Sequence, residues 1–224
     1  MDVLLSSFTP NIVKDIYVKD PLTSSLGCDI VRKSTEMIAT MGFESFTFKK
    51  LAAEIHTTEA SVYRYFENKY TLLLYLTSYY WAWAEYQLIF KNSNVTDPVV
   101  QLKNAVDVIT MPKTIEDRWL DQQHLLHIII NESSKSYMIK SVDRFNRHGM
   151  YYNYKKMVSM ISDIILRINP AFQCAHMLVS TIIEGAHHQK YFARHLPSLT
   201  DEQKKDNSLS EFYYHLALSA IQKI

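Results

Sequence analysis

The chain has 224 residues, 47% of them hydrophobic and 21% charged, with a formal net charge of +1, the balance of an ordinary folded protein and not of a disordered one. Near-neutrality excludes nucleic-acid binding by sheer positive charge, so any such contact must depend on where the charges sit. Only four glycines and six prolines punctuate the sequence, too few for the many tight turns of a sandwich or barrel, and long helices are expected instead.

The extension 1–24 holds Asp20-Pro21 and Ser24-Ser25, which are turn and N-cap chemistry. Its only bases are Lys14 and Lys19, too few for a minor-groove arm, so a segment packed on the body is expected. It lacks the basic start and apolar stretch of a secretory signal, and none is expected. Cys28 and Cys174 lie far apart, match no metal-ligand or redox spacing, and fit a reducing cytoplasm.

From residue 25 onward helix signals dominate. Leu26, Ile30, Met37, Ile38 and Met41 recur at helical spacing, and Gly42 follows as a C-cap. Thr47 precedes a short helix to Ile55 with Leu51, Ala52 and Ile55 facing inward. Thr58 opens another, through Phe66, anchored by Val62, Tyr65 and Phe66. A long helix follows from about Lys69 to Lys91. Within it, Tyr70 to Phe90 is 21 residues with one charge, Glu85, which is long enough to span a bilayer. Its Thr71, Thr77, Ser78, Gln87 and five tyrosines favour a buried central helix instead.

Asp97-Pro98 and Asn169-Pro170 each pair an N-cap residue with proline at the first helical position, and Ser208 with Glu211 has capping-box spacing. Apolar helical patterns lie near 115–132 and 136–168, the second broken around Gly149. The last two helices are expected over 170–195 and 208–223. No strand is needed, and the fold class is all-α.

Two short helices, 47–55 and 58–66, joined by a tight turn and preceded by a longer helix, have the arithmetic of a helix-turn-helix, whose second helix enters the DNA major groove. Thr47 and Thr58 cap helix starts, where free N–H groups and the positive dipole end can meet a phosphate. Spacing alone is weak, because helical hairpins abound. The residues raise it. Gly42-Phe43-Glu44-Ser45-Phe46-Thr47-Phe48-Lys49-Lys50-Leu51-Ala52, followed by Ser61-Val62-Tyr63-Arg64-Tyr65-Phe66-Glu67-Asn68-Lys69, resembles the signature of the tetracycline-repressor (TetR-like) family.

The resemblance implies a three-helix DNA-binding domain over 25–69 and a helical regulatory and dimerisation domain over 70–224. It implies a homodimeric, non-enzymatic transcriptional regulator, commonly a repressor. Its partners would be a double-stranded DNA operator and a small-molecule effector, with no membrane, cofactor, metal or catalytic residue. It assigns Tyr63 and Lys69 to phosphates, and Thr47 with the backbone near Phe48 to a phosphate clamp. Lys49, Glu59, Ala60, Ser61 and Tyr65 fall at positions that touch bases or backbone, and Tyr65 also reads as core. Two departures stand out. His56 replaces the usual turn glycine, with Thr57 after it in place of an apolar residue. Histidine tolerates left-handed geometry at some strain. Glu59 stands where a basic or neutral residue is common; its carboxylate repels phosphate but can accept from cytosine N4, the alternative being that it faces solvent or stabilises the helix start.

By the same resemblance the last two helices pair with their copies in a four-helix dimer interface. Candidates are Ala175, Leu178, Val179, Ile182 and Ala186 on one, and Phe212, Leu216, Ala220 and Ile224 on the other; an intramolecular core face is the alternative. The middle helices would enclose an effector pocket. Trp83, Tyr86, Trp119, Tyr137, Tyr151 and His187 are its candidate lining, in a pool rich in methionine and aromatics that also fits plain core, and they imply a mostly apolar or aromatic effector. Glu184 and His187 have the Glu-x-x-His spacing of helix-bundle di-metal sites, but no second copy occurs. A helical-bundle metalloenzyme or ligand-binding protein that retains a helix-turn-helix is therefore the alternative function.

Overall fold

Helices and short turns make up the described residues of a computed structural model, 8–110, 120–202 and 208–222, and no strand occurs among them, as the all-α reading requires. Candidates Trp119 and Ile224 lie outside the described residues. The chain divides into two compact units, Met1–Ala82 with Thr114–Asn153, and Trp83–Lys113 with Tyr154–Ile224.

In the first unit, α1 (Ser25–Met41) starts where Ser24 accepts the Gly27 N–H and ends at Gly42, whose φ of 78° is the expected left-handed cap. Ile30, Val31 and Ile38 make its fully buried stripe. Two short helices follow, α2 (Phe48–Glu54) and α3 (Glu59–Tyr63), each opened by the threonine expected to cap it: Thr47 accepts from the Lys50 N–H and Thr58 from the Ser61 N–H. His56, in the turn between them, has φ 52°, so the chain takes left-handed geometry without the usual glycine. Helix α3 ends sooner than the sequence pattern suggests. Beyond Tyr63 the chain tightens, with the Tyr65 and Phe66 N–H groups both donating to the Val62 carbonyl.

The long helix α4 (Lys69–Asn92) contributes to both units. Every residue from 71 to 84 is buried, and no helix among the described residues is long and apolar enough to cross a membrane. Its threonines bond back to the backbone, the Thr71 hydroxyl to the Asn68 carbonyl and the Thr77 hydroxyl to the Leu74 carbonyl at 3.0 Å. The first unit is completed by α6 (Gln122–Glu132), capped by Asp121, and by short helices α7 (Ser134–Tyr137) and α8 (Val142–Arg147). The break expected at Gly149 is present, with φ 71°, and a second break falls at 138–141.

The N-terminal extension is ordered structure within this unit. Ile12 and Ile16 are buried, Val18 donates its N–H to the Tyr65 carbonyl, and Asp15 pairs with His148 at 2.9 Å. Pro21 approaches α1 so closely that a Cβ at Gly27 would lie 2.2 Å from the Pro21 carbonyl oxygen. Only glycine fits there.

In the second unit α5 (Pro98–Thr110) and α9 (Tyr152–Ile168, its first two residues in the other unit) accompany the last two helices. Helix α10 (Ala175–His195) starts later than the Asn169-Pro170 pair suggests. Asn169 instead accepts the Ala171 N–H and donates its amide to the Ile221 carbonyl, so it shapes a turn that docks on α11 (Ser208–Gln222). Gly185 lets α10 and α11 meet: a Cβ there would lie 2.4 Å from the Tyr213 hydroxyl. Lys103 of α5 bonds Asp107, Ser210 and Glu211, tying α5 to α11 through charge-assisted contacts.

Candidate nucleic-acid interface

The candidate reading head rests on a dry core. Phe43, Phe46, Leu51, Val62 and Phe66 are fully buried, which fixes the angle between α2 and α3. Outside this core stand Thr47, Lys49, Thr58, Glu59, Ala60 and Tyr63, all exposed. Ser61 is half-buried and shares a hydroxyl contact of 2.9 Å with Thr58. Tyr63 packs its ring edge-on to Phe48 at 5.1 Å and leaves the side chain 48% exposed, so its hydroxyl is held outward by a buried partner. Phe48 itself is buried, and only its backbone lies at the helix start as expected. Lys49, Arg64 and Glu59 make no ion pair among the described residues, so their charges face solvent uncompensated.

Two residues take other places than the sequence suggests. Tyr65 is 4% exposed, and its hydroxyl pairs at 2.8 Å with Ser24, the same hydroxyl that caps α1. Lys19 stands over its ring at 5.2 Å. Tyr65 therefore ties the chain just beyond α3 to the start of α1, which is its reading as core. Lys69 is the second. Its ammonium donates to the carbonyls of Phe43, Glu44 and Phe46 at 2.9, 3.2 and 3.3 Å and lies 4.6 Å from the Phe43 ring centre. An ammonium has three protons, and three carbonyls take them. Lys69 thus clamps the turn that delivers Thr47. Asn68 beside it caps α4, accepting the Tyr70 and Thr71 N–H groups. Within the Tyr-x-Tyr-Phe-x-Asn-Lys run, then, Tyr63 points outward with Arg64 and Glu67, while Tyr65, Phe66, Asn68 and Lys69 hold the head together.

The same turn is held from a side that sequence reasoning missed. Glu132, at the end of α6 and buried, accepts the Phe43 N–H at 3.0 Å, and Lys135 bridges it at 2.7 Å to Glu44 at 3.3 Å. The residues lie about 90 positions apart in the chain, and no local pattern marks such a pair.

The expected dimer face is divided by burial. Ala175, Val179, Ile182 and Ala186 are buried inside the chain and belong to its own core, the intramolecular alternative. Phe212 and Leu216 are exposed by 58% and 42%, Leu178 and Ala220 are half-buried, and Met177, not foreseen, is 69% exposed on α10. A register shift around α10 separates the two sets: the apolar stripe was legible, but not which edge of it faces out.

Among the effector candidates, Trp83, Tyr86 and His187 belong to the second unit, and Tyr137 and Tyr151 to the first. Trp83 and Tyr86 stack at 5.7 Å. Tyr151 donates its hydroxyl to the Ser136 carbonyl at 2.9 Å. His187 is buried, and burial first, then Lys190 and His188, lowers its pKa to about 3, so it is neutral near pH 7. Glu184 accepts from the Tyr154 hydroxyl at 2.8 Å, and no group of three or more His, Cys, Asp or Glu among the described residues could hold a metal.

The profile of the bacterial regulatory proteins of the tetR family matches residues 30–76, which contain most of α1, both short helices and the start of α4. Compared by sequence with curated proteins, the chain has no match. Among solved structures, AibR in complex with isovaleryl coenzyme A and operator DNA is similar, with a TM-score of 0.56 and 14% identity over 84% of this chain and 95% of that one. Apo AibR gives a TM-score of 0.50 at 14% identity, over 84% and 96%. The superantigen PfiT also shares the fold, with a TM-score of 0.56 and 9% identity over 87% and 95%. At such identities the likeness establishes the fold of nearly the whole chain, and these neighbours show that one fold serves more than one role.

Proposed function

We propose that this chain, whose residues 30–76 match the tetR-family profile, is a homodimeric transcriptional regulator whose hold on a DNA operator is set by a small molecule. The observation that carries this reading is the exposed set Thr47, Lys49, Thr58 and Tyr63, with the half-buried Ser61 among them, at the starts of two consecutive helices and at the outer end of the second, held on a rigid core. Hydroxyls and lysines at helix starts supply phosphate contacts that fix register. Glu59 and Ala60 then face the groove floor, and the unpaired Glu59 carboxylate selects cytosine through its N4 amino group.

Two such heads need a dimer to address half-sites about 34–36 Å apart or a multiple of this. The exposed Met177, Phe212 and Leu216, with Leu178 and Ala220 at their margin, are the surface for that pairing. The effector is mostly apolar or aromatic and is read by Trp83, Tyr86 and His187 of the second unit, and the fold shared with a regulator solved with an acyl coenzyme A and operator DNA supports ligand control. Repression is the sense we assign, by blocking the promoter when the effector is absent. Tyr137 and Tyr151 remain candidates of the first unit.

The test is a salt-dependent mobility-shift titration of the full chain against DNA upstream of its own gene. Specific binding that weakens about tenfold in Tyr63→Phe, and a changed base preference in Glu59→Gln, are the expected results. Affinity indifferent to DNA sequence in the wild type would overturn the reading.

A further inference from the structure

The N-terminal extension walls a cavity of about 340 Å³ in the first unit, against α4. Ile12, Lys14, Tyr17, Asp20 and Leu22 line it from the extension, and Tyr75 from the helix. Tyr75 is only 1% exposed, yet its hydroxyl makes no hydrogen bond among the described residues. Thr71 and Thr77 of the same helix have partners in the Asn68 and Leu74 carbonyls, whereas the Tyr75 hydroxyl opens to the cavity without one among the described residues. The ring cannot swing to seek one. Edge contacts from Tyr17 at 6.1 Å and Phe66 at 5.4 Å hold it in place.

The charges around the cavity are of both signs. Asp20 uses one carboxylate oxygen to accept the Leu22 N–H at 2.9 Å, and its other oxygen has no partner among the described residues. Lys14 supplies the cation. Burial above all, then Asp20 and Tyr17, pushes the Tyr75 phenol well above its usual range, so it remains a hydrogen-bond donor.

We propose that this cavity is a second small-molecule site, which takes a zwitterion of the amino-acid class with an apolar side chain. Its ammonium group meets the unused Asp20 oxygen, its carboxylate accepts from the Tyr75 hydroxyl and Lys14, and its side chain lies on Ile12 and Leu22. The volume is at the small end of ligand pockets, about 300–1,000 Å³, which suits one amino acid and not a large acyl thioester. The segment that walls the cavity also holds the end of the recognition helix, through the Val18 N–H on the Tyr65 carbonyl and the Ser24 hydroxyl on that of Tyr65. A ligand that orders this segment biases the reading head, independently of an effector in the second unit.

The test is calorimetric titration of the full chain, without DNA, with L-phenylalanine, L-leucine, phenethylamine and 3-phenylpropionate as probes. At least one of the two amino acids binds the wild type, and the probes lacking a carboxylate or an ammonium bind about tenfold or more weakly. Tyr75→Phe removes one oxygen without changing shape, and Asp20→Asn keeps the acceptor for Leu22; each weakens amino-acid binding by about tenfold or more while the circular-dichroism spectrum is retained. Absence of binding by both amino acids at millimolar concentration, which would mean a site filled by water only, overturns the proposal. So does binding that survives both substitutions. Because no DNA is present, either failure leaves the regulatory reading untouched.

Discussion

Replacing Lys69 by methionine separates a positioning role from a phosphate contact. The substitution keeps most of the apolar stem over Phe43 and removes the ammonium that holds three carbonyls of the Gly42–Thr47 turn. A hydrogen bond to a charged group contributes about 1.5–3 kcal/mol. The three share one half-exposed ammonium, and the 2.9 Å bond to Phe43 dominates, so the whole clamp is worth about 2 kcal/mol and not three times that. If the turn then samples open states, the competent fraction of the head falls by that energy, and DNA affinity by up to about thirtyfold. The decisive quantity is the salt slope. A lysine lost from a phosphate lowers the slope of log K against log salt by about 0.9 per site, about 1.8 per dimer. A lysine lost from a clamp leaves it unchanged. Fluorescence anisotropy on operator DNA from about 50 to 200 mM salt, with urea melts of the same protein, reads both. Lys49→Met serves as the control that lowers the slope. A Lys69→Met protein of wild-type stability, with the slope lowered by about 1.8, would refute the clamp.

Three further outcomes follow from the geometry. His56→Gly relieves about 1 kcal/mol of left-handed strain and gives back about 0.5 kcal/mol in unfolded-chain entropy, so a net stabilisation of about 0.5 kcal/mol is expected in urea melts. His187 has a folded pKa near 3 against 6.5 in the unfolded chain, so the unfolded state binds the extra proton between those values, and stability falls as pH drops below 6.5. At pH 5.5 the loss is about 1.4 kcal/mol, and His187→Leu should flatten that part of the pH–stability curve. Phe212→Asp combined with Leu216→Asp puts four charges into the proposed dimer face, two from each copy, and light scattering should then report the monomer mass with the helix content retained.

Much of this molecule was legible in its sequence because the information is local. Thr47, Thr58 and Asn68 bond to N–H groups two or three residues ahead, and Gly42 needs only its own φ, so a cap is readable wherever the chain folds. The helical stripes, the buried α4 and the signature at Tyr63 to Lys69 belong to the same class. What tertiary structure alone decided involves partners far apart in the chain. Tyr65 reaches back to Ser24, Lys69 reaches back across the turn to Phe43, and Glu132 reaches the same residue from α6. A lysine looks the same in sequence whether it meets a phosphate or a carbonyl. The motif at Tyr63 to Lys69 thus marked the segment that the tetR-family profile matches, and packing then decided which of its residues face out and which hold it closed.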